Sequence, residues 1–239
     1  ADGSYDFENF NTLDLKYLNK FIDDLLKNNR AKMPIFNFYT GSREEEYTDL
    51  VIDDNTVIIM EGIHALNPDL IKGHKKEIYK IYLSLNDNYT KNGKMLLSAK
   101  ELRLVRRITR DYYTRGYSVL QTISTWGNVC EGEDKWIKPF KNTAHYIIDS
   151  VHKYEILLYS KYSLPIIKKV ILSENVSKLS LNNLNNEIVL NNLRYAKKLY
   201  LSLKEAYKLN KERIPSTSLL WEFIGNAEDV VEPSGKIFN

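Results

Sequence analysis

The chain has 239 residues and a net charge of +3, from 34 lysines and arginines against 31 aspartates and glutamates. With 43% hydrophobic and 27% charged residues, it has the composition of a globular protein with one large domain, alone or with an appendage. Because positive and negative charges nearly balance, a general nucleic-acid-binding surface is not favoured, and any basic site must be local. The single cysteine, Cys130, excludes an internal disulfide, and no apolar run approaches the ~20 residues that a membrane span needs. These features predict a cytoplasmic protein with neither nucleic-acid nor membrane partners.

The amino-terminal third alternates helical and extended patterns. Leucines and an isoleucine at helical spacing predict a helix over residues 14–28. Residues 34–38 and 46–52 form two short extended patterns on either side of a TGSR turn, which predicts a hairpin-like excursion. The run TVIIMEG at 56–62 then has the unbroken apolar character of a strand covered on both faces.

Strand and helix patterns continue to alternate further along the chain. Three more extended patterns occur, at residues 78–85, 146–148 and 164–172. Helical patterns separate them, one rich in arginine and one near 151–159. Strands separated by helices predict an α/β fold with a parallel sheet.

Composition changes after Leu172. The segment that follows is rich in asparagine and serine, and leads into a strong helical pattern, LRYAKKLYLSLKEAYKL. We therefore predict an α/β domain over residues 1–172 and a helical extension with a loose tail over 173–239.

The stretch RLVRRITRDYYTRGY, residues 103–117, carries five arginines. At about 100° per residue, Arg103, Arg107 and Arg110 fall within roughly 60° of one another, with Arg106 at their edge. The helix therefore has an apolar side and a guanidinium side. Two interpretations stay open: a solvated face with i,i+4 ion pairs, or a site for phosphate or another anion.

Glu61 is the second residue with chemical meaning, because it ends the apolar run. An acid at the carboxyl end of a buried parallel strand lies on the sheet edge where α/β proteins bind ligands. In nucleotide-handling folds such an acid can orient a magnesium ion. The alternative is a structural carboxylate that caps a helix or pairs with a lysine. No GxxxxGK[ST], GxGxxG, HExxH or GxSxG motif occurs to decide the class.

Five stretches in order resemble the uridine kinase and phosphoribulokinase family: YDFENFNTLD, PIFNFYTGSR, VIIMEGIHALNP, LVRRITRDYYTRGYS and KPFKNTAHYIIDS. The likeness covers roughly residues 1–172 and is strongest to the longer bacterial uridine kinase-like proteins. It implies a parallel-sheet P-loop kinase fold. It also implies transfer of the γ-phosphoryl group of ATP to the 5′-hydroxyl of uridine or cytidine with Mg²⁺.

The resemblance implies roles for individual residues. On the phosphate side, Glu61 matches the acid that helps to hold magnesium. The lid arginines that hold the triphosphate and the transferring group correspond to Arg107, Arg110 and Arg115, with Arg103 and Arg106 as further nucleotide-binding candidates. On the acceptor side, the residues implied to contact the base or the ribose are Phe36, Phe38, Asp6, Glu8 and Arg43.

Three departures from the family pattern affect these expectations. Gly41 and Tyr117 stand where nucleoside-specific members have a histidine and a further arginine. The phosphate loop and the aspartate that acts on the sugar hydroxyl belong, in the family, to a segment before YDFE. We therefore expect the chain to lack the amino-terminal strand and the phosphate loop and to be inactive alone. A sugar-phosphate kinase and a non-catalytic nucleotide-binding module are the alternatives, and a homo-oligomer is left open.

Overall fold

The structure is a computed structural model that describes residues 9–37, 42–73, 78–173 and 184–225, with side chains from residue 187 in the last range. Asp6, Glu8 and Phe38 lie outside the described residues. The chain divides into two compact units, one of Ala1–Tyr82 with Glu131–Ile147 and one of Leu83–Cys130 with Ile148–Asn239. The predicted boundary near residue 172 stays a prediction.

Helix α1, Leu15–Asn28, lies in the first unit and confirms the helix predicted there. The Asp14 side chain accepts a hydrogen bond of 2.9 Å from the Tyr17 backbone N–H, which satisfies one of the open donors at the helix start. The helix ends at Asn29 in the left-handed conformation, with φ of 54°. It buries Ile22 and Leu25, so its apolar side faces inward.

The next two elements are β1, Arg30–Asn37, and β2, Ser42–Val51, and they pair in antiparallel fashion. The hairpin predicted around TGSR is therefore confirmed, although its strands are longer than predicted. Its register shifts between Pro34 and Phe36, where proline has no N–H to donate to a neighbouring strand. Almost every residue of β2 is exposed.

Strands β3, Ile81–Ser84, and β6, Tyr146–Asp149, form a pair. The Tyr146 N–H donates to the Lys80 carbonyl at 3.2 Å and the Ser150 N–H to the Ser84 carbonyl at 2.8 Å. Because the bonds advance in the same direction on both strands, the pair is parallel. The mixed α/β class with a parallel sheet is thus confirmed.

Two predicted strands are wrong. The TVIIMEG run has no strand pairing among the described residues, and Val57 and Ile59 are 83% and 89% exposed. Apolar, β-branched residues predict extended backbone, but a strand also needs a neighbouring backbone, and the pair of β3 and β6 does not extend to this segment. The run at 164–172 is largely helical, because short apolar runs fit either structure and here Ile166 and Ile167 are buried by helix packing.

The second unit is built mainly from helices. A hairpin of β4, Tyr89–Lys91, and β5, Lys94–Leu97, precedes them. Its turn residues Asn92 and Gly93 both have positive φ, the conformation that suits a tight hairpin. Among the described residues that follow, the helices are α2 Ala99–Arg115, α3 Val119–Trp136, α4 Glu155–Ile171, α5 Leu184–Lys204 and α6 Trp221–Ile224. Short 3₁₀ turns lie at Phe10–Thr12, Lys138–Thr143 and Lys211–Arg213.

Helices α2, α4 and α5 share the core of the second unit with α6. Helix α2 contributes its apolar side, as predicted, and residues of α3, α4, α5 and α6 pack around it. Among the wholly buried side chains are Leu102, Leu104, Ile108, Leu158, Tyr159, Ile167, Leu199 and Leu203. None of the helices that the structure describes is both long and apolar enough to cross a membrane.

Candidate functional site

Helix α2 carries all five arginines of the candidate site, and a capping box fixes its start. The Ser98 side chain accepts from the Glu101 N–H, while the Ser98 N–H and hydroxyl both donate to the Glu101 carboxylate at 2.9 Å. Lys198 of α5 pairs with the same carboxylate. Burial alone would raise the pKa of Glu101, but Lys198 and the two donors of Ser98 outweigh it and hold that pKa below its usual value.

The other end of α2 is fixed by Gly116 and Asp111. Gly116 takes the left-handed conformation, with φ of 73°, and its N–H donates to the Asp111 carbonyl, so the helix stops directly after Arg115. The buried Asp111 side chain accepts from Arg115 at 3.0 Å and from the Thr122 hydroxyl at 3.1 Å. Its second oxygen also lies 3.4 Å from Arg107 Nε.

Arg106 differs from the other four arginines because it is buried. Its Nε and Nη2 each donate to the Glu155 carboxylate at 2.7 Å, and Nη2 also donates to the Ser150 carbonyl at 2.7 Å. Burial alone would lower the pKa of Arg106, but Glu155 outweighs it and raises that pKa. The nucleotide-binding role of Arg106 stays a prediction, and these contacts favour a structural role.

The remaining arginines of α2 are partly exposed. The Arg103 guanidinium lies 5.4 Å from the centre of the Trp126 ring. Arg107 and Arg115 share one carboxylate, that of Asp111, which is the only one in ion-pair range of Arg107 among the described residues. Arg110 donates to Glu222 of α6 at 2.8 Å. Two guanidinium groups thus share a single carboxylate on this side of α2, and guanidinium groups suit phosphate oxygens.

Two counter-ions of these arginines, Glu155 and Glu222, are missing from the sequence-based prediction. They lie 49 and 112 positions from the arginines they bind. No local spacing could have found them, since helical periodicity relates only residues within a few turns.

Glu61 belongs to the first unit and is exposed. No group of three or more histidine, cysteine, aspartate or glutamate side chains placed to hold a metal occurs in the described part of the chain. The magnesium role of Glu61 stays a prediction, with the carboxylate reachable from solvent.

The acceptor-side candidates that the structure describes are Phe36 and Arg43, which face each other in the register of the β1–β2 hairpin. Phe36 is 53% exposed. Arg43 lies 4.4 Å from the centre of the Tyr17 ring and binds Asp14 at 3.1 Å. The Tyr17 N–H and then Arg43 lower the pKa of Asp14. The substrate-binding roles of both residues stay predictions, and Arg43 also ties β2 to the start of α1.

Comparison with known proteins identifies the family. The profile of the phosphoribulokinase/uridine kinase family matches residues 1–157, and the chain belongs to this family. A uridine kinase of Ureaplasma parvum serovar 3 is 29% identical over 125 residues, 52% of either chain. A uridine kinase of Clostridium novyi is 28% identical over 143 residues, which are 59% of this chain and 61% of the relative.

A uridine kinase of Saccharomyces cerevisiae is 28% identical over 152 residues, 62% of this chain and 26% of the relative. The chain spans about half the length of the bacterial relatives it matches. The resemblance predicted from the sequence is confirmed, and the chain is related to kinases.

Proposed function

We propose that the protein transfers the γ-phosphoryl group of ATP to the 5′-hydroxyl of uridine or cytidine. The observation that carries the proposal is the family match over residues 1–157, together with relatives that are named uridine kinase. The partly exposed arginines of α2 support it, because phosphoryl transfer depends on positioning and on neutralising phosphate charge.

The proposed roles of the arginines follow from their contacts. Arg107 and Arg110 would bind phosphate oxygens, since their pairing with protein carboxylates is incomplete or exposed. Arg115 would act beside them and exchange its contact with Asp111 for a phosphate oxygen. Arg103 would extend the basic side of the helix. Arg106 would hold α2 in place through Glu155 and bind the nucleotide least directly.

Magnesium is the metal that the family implies. A protein commonly holds Mg²⁺ through one or two carboxylates, with water and substrate phosphates as the other ligands, and the exposed Glu61 fits such a site. The ion would supply charge neutralisation at the phosphates. Glu61 would supply one anionic oxygen that fixes its position.

The proposed acceptor site uses the exposed Phe36, whose ring would cover the flat base, and the nearby Arg43. From the sequence resemblance, Phe38 and either Asp6 or Glu8 are also assigned to this proposed acceptor site. A carboxylate there would accept hydrogen bonds from ribose hydroxyl groups.

An assay of the 239-residue chain tests the proposal with two separate readouts. The first is calorimetric binding of ATP, with and without Mg²⁺. The second is formation of uridine monophosphate from uridine and ATP. We expect the chain to bind ATP, and we expect Arg107→Ala to weaken that binding. We expect turnover of this chain alone to be very low, because its sequence contains no GxxxxGK[ST] phosphate loop. A chain that binds no ATP at millimolar concentration would contradict the proposal, and efficient turnover would contradict the expected inactivity.

A sugar-phosphate kinase is the second candidate. The family name covers phosphoribulokinases as well as uridine kinases. Tyr117, 48% exposed, and Gly41 stand where the nucleoside-specific pattern has arginine and histidine. Ribulose 5-phosphate and uridine, offered in parallel to a preparation of the protein that shows turnover, distinguish the two acceptors.

A further inference from the structure

The last described segment of the chain, residues 211–225, contains α6, which packs against α2. Leu220 and Ile224 are wholly buried, and Phe223 is nearly so. The backbone at Gly225 approaches α2 so closely that an added Cβ would lie 3.3 Å from Thr114 Cγ2. These contacts anchor the segment's backbone on the helix.

Glu222 belongs to this segment, but its side chain is 51% exposed. It lies between the buried Leu220 and Ile224 and accepts a hydrogen bond of 2.8 Å from Arg110 Nη1. The guanidinium of Arg110 also lies 5.9 Å from the centre of the Phe223 ring. A carboxylate oxygen therefore occupies a position on Arg110 that a phosphate oxygen would take, since both acceptors use the same N–H donors.

We propose that Glu222 is a built-in competitor for the anion that Arg110 binds, and so an autoinhibitory contact. The inference rests on the proposed function, because it takes Arg110 as a phosphate-binding residue. The exchange needs only a rotation of the Glu222 side chain, since the neighbouring side chains keep the backbone anchored. An ion pair this exposed contributes little to stability, so a polyphosphate with several charges displaces it readily.

The effect expected from losing the competitor is small but measurable. Exposed ion pairs correspond to about a two- to fivefold change in an equilibrium constant. Glu222→Gln should therefore bind inorganic tripolyphosphate about two- to fivefold more tightly than the unchanged chain. Glu212→Gln is the matched control, because it removes one exposed carboxylate from the same segment without touching Arg110. It should leave the affinity unchanged.

Isothermal titration calorimetry at fixed ionic strength, on the full 239-residue chain, makes the measurement. Arg110→Ala should weaken tripolyphosphate binding, and in that background Glu222→Gln should give no further gain. Thermal midpoints of all variants confirm that each is folded. An equal gain from Glu222→Gln and Glu212→Gln would show a general charge effect and overturn the inference.

The remaining outcomes separate the inference from the function it rests on. If Arg110→Ala weakens tripolyphosphate binding but Glu222→Gln leaves it unchanged, only the competitor role of Glu222 is overturned. Weaker binding by Glu222→Gln would mean that Glu222 positions Arg110 for the ligand, which also overturns it. Tripolyphosphate affinity that is unaffected by Arg110→Ala removes Arg110 from the proposed phosphate site, and the competitor role with it.

Discussion

Arg106 donates two hydrogen bonds of 2.7 Å to the Glu155 carboxylate and thereby joins α2 to α4 inside the second unit. Both side chains are nearly or wholly buried. The Glu155 carboxylate also accepts from the His152 N–H at 2.9 Å, so the start of α4 is tied to the same pair. The arginine helix is thus held from its interior side, while its partly exposed arginines are left for other contacts.

Removing one partner of this buried pair should be strongly destabilising. Arg106→Ala leaves the Glu155 carboxylate buried without its cation, and such losses typically cost about 3–5 kcal/mol. Urea unfolding measures the change in the free energy of unfolding. Arg194→Ala, an exposed arginine of α5, is the control and should change it by less than about 0.5 kcal/mol. A loss of similar size in both variants would contradict the role given to the pair.

Arg107→Ala should impair catalysis far more than acceptor binding. The partly exposed guanidinium would stabilise charge on the transferring phosphoryl group, and loss of one such donor typically lowers kcat by about 10²–10³-fold. Kinetics with ATP and uridine, on a preparation of the protein that shows turnover, give both constants. Lys100→Ala removes an exposed cation from the same helix and should leave them nearly unchanged. A rise in the acceptor KM with kcat unchanged would count against a phosphate role.

Glu101→Gln should lower stability by about 1 kcal/mol at neutral pH, because it weakens the capping box and the pair with Lys198. The pKa of Glu101 is lower in the folded chain than in the unfolded one. Its charge therefore stabilises the fold above the unfolded-state pKa of about 4.3, and this contribution disappears as the pH falls through the folded-state pKa.

Urea midpoints measured from pH 3 to pH 7 check this expectation. The difference between the unchanged chain and Glu101→Gln should shrink toward the acid end. Glu187→Gln, an exposed glutamate of α5, should show little difference at any pH. A difference that grows toward low pH would have the wrong sign.

Phe36→Ala should chiefly raise the apparent KM for the acceptor, since the exposed ring is proposed to cover the base. Contacts of aromatic rings of this kind contribute about 0.5–1.5 kcal/mol, which corresponds to roughly a 2- to 12-fold change. Ile35→Ala changes the neighbouring exposed side chain of the same strand and serves as the control. An unchanged KM in Phe36→Ala would exclude the ring from the acceptor site.

Short-range sequence patterns predicted the secondary-structure elements that depend on neighbouring residues. Helix α1, the β1–β2 hairpin and the two sides of α2 all follow from short-range spacing and turn residues. The TVIIM run was predicted as a strand from composition, but pairing requires a partner backbone that composition cannot specify. Pro165 lies inside α4, where burial on the core side overrides the β-branched character of the run.

For the candidate site, too, some features followed from local sequence and others depended on distant residues. The arginines and their common side were evident from spacing, whereas the burial of Arg106 depends on Glu155 and could not be read from its neighbours. Glu222 was missed for the same reason. Sequence alone therefore indicates which groups bring positive charge to α2, and the fold decides which of them is already neutralised.

Residues from beyond position 184 contact α2 at two places, with Lys198 binding Glu101 near the start and Glu222 binding Arg110 farther along. The family match ends at residue 157, before any of these contacts is made. Trimming the gene to the matched portion, or cleaving the chain near residue 173, would therefore remove both contacts and uncover the side chains beneath α5 and α6. Expression work on this protein should retain everything through Gly225 if it aims to preserve the basic helix in its described form.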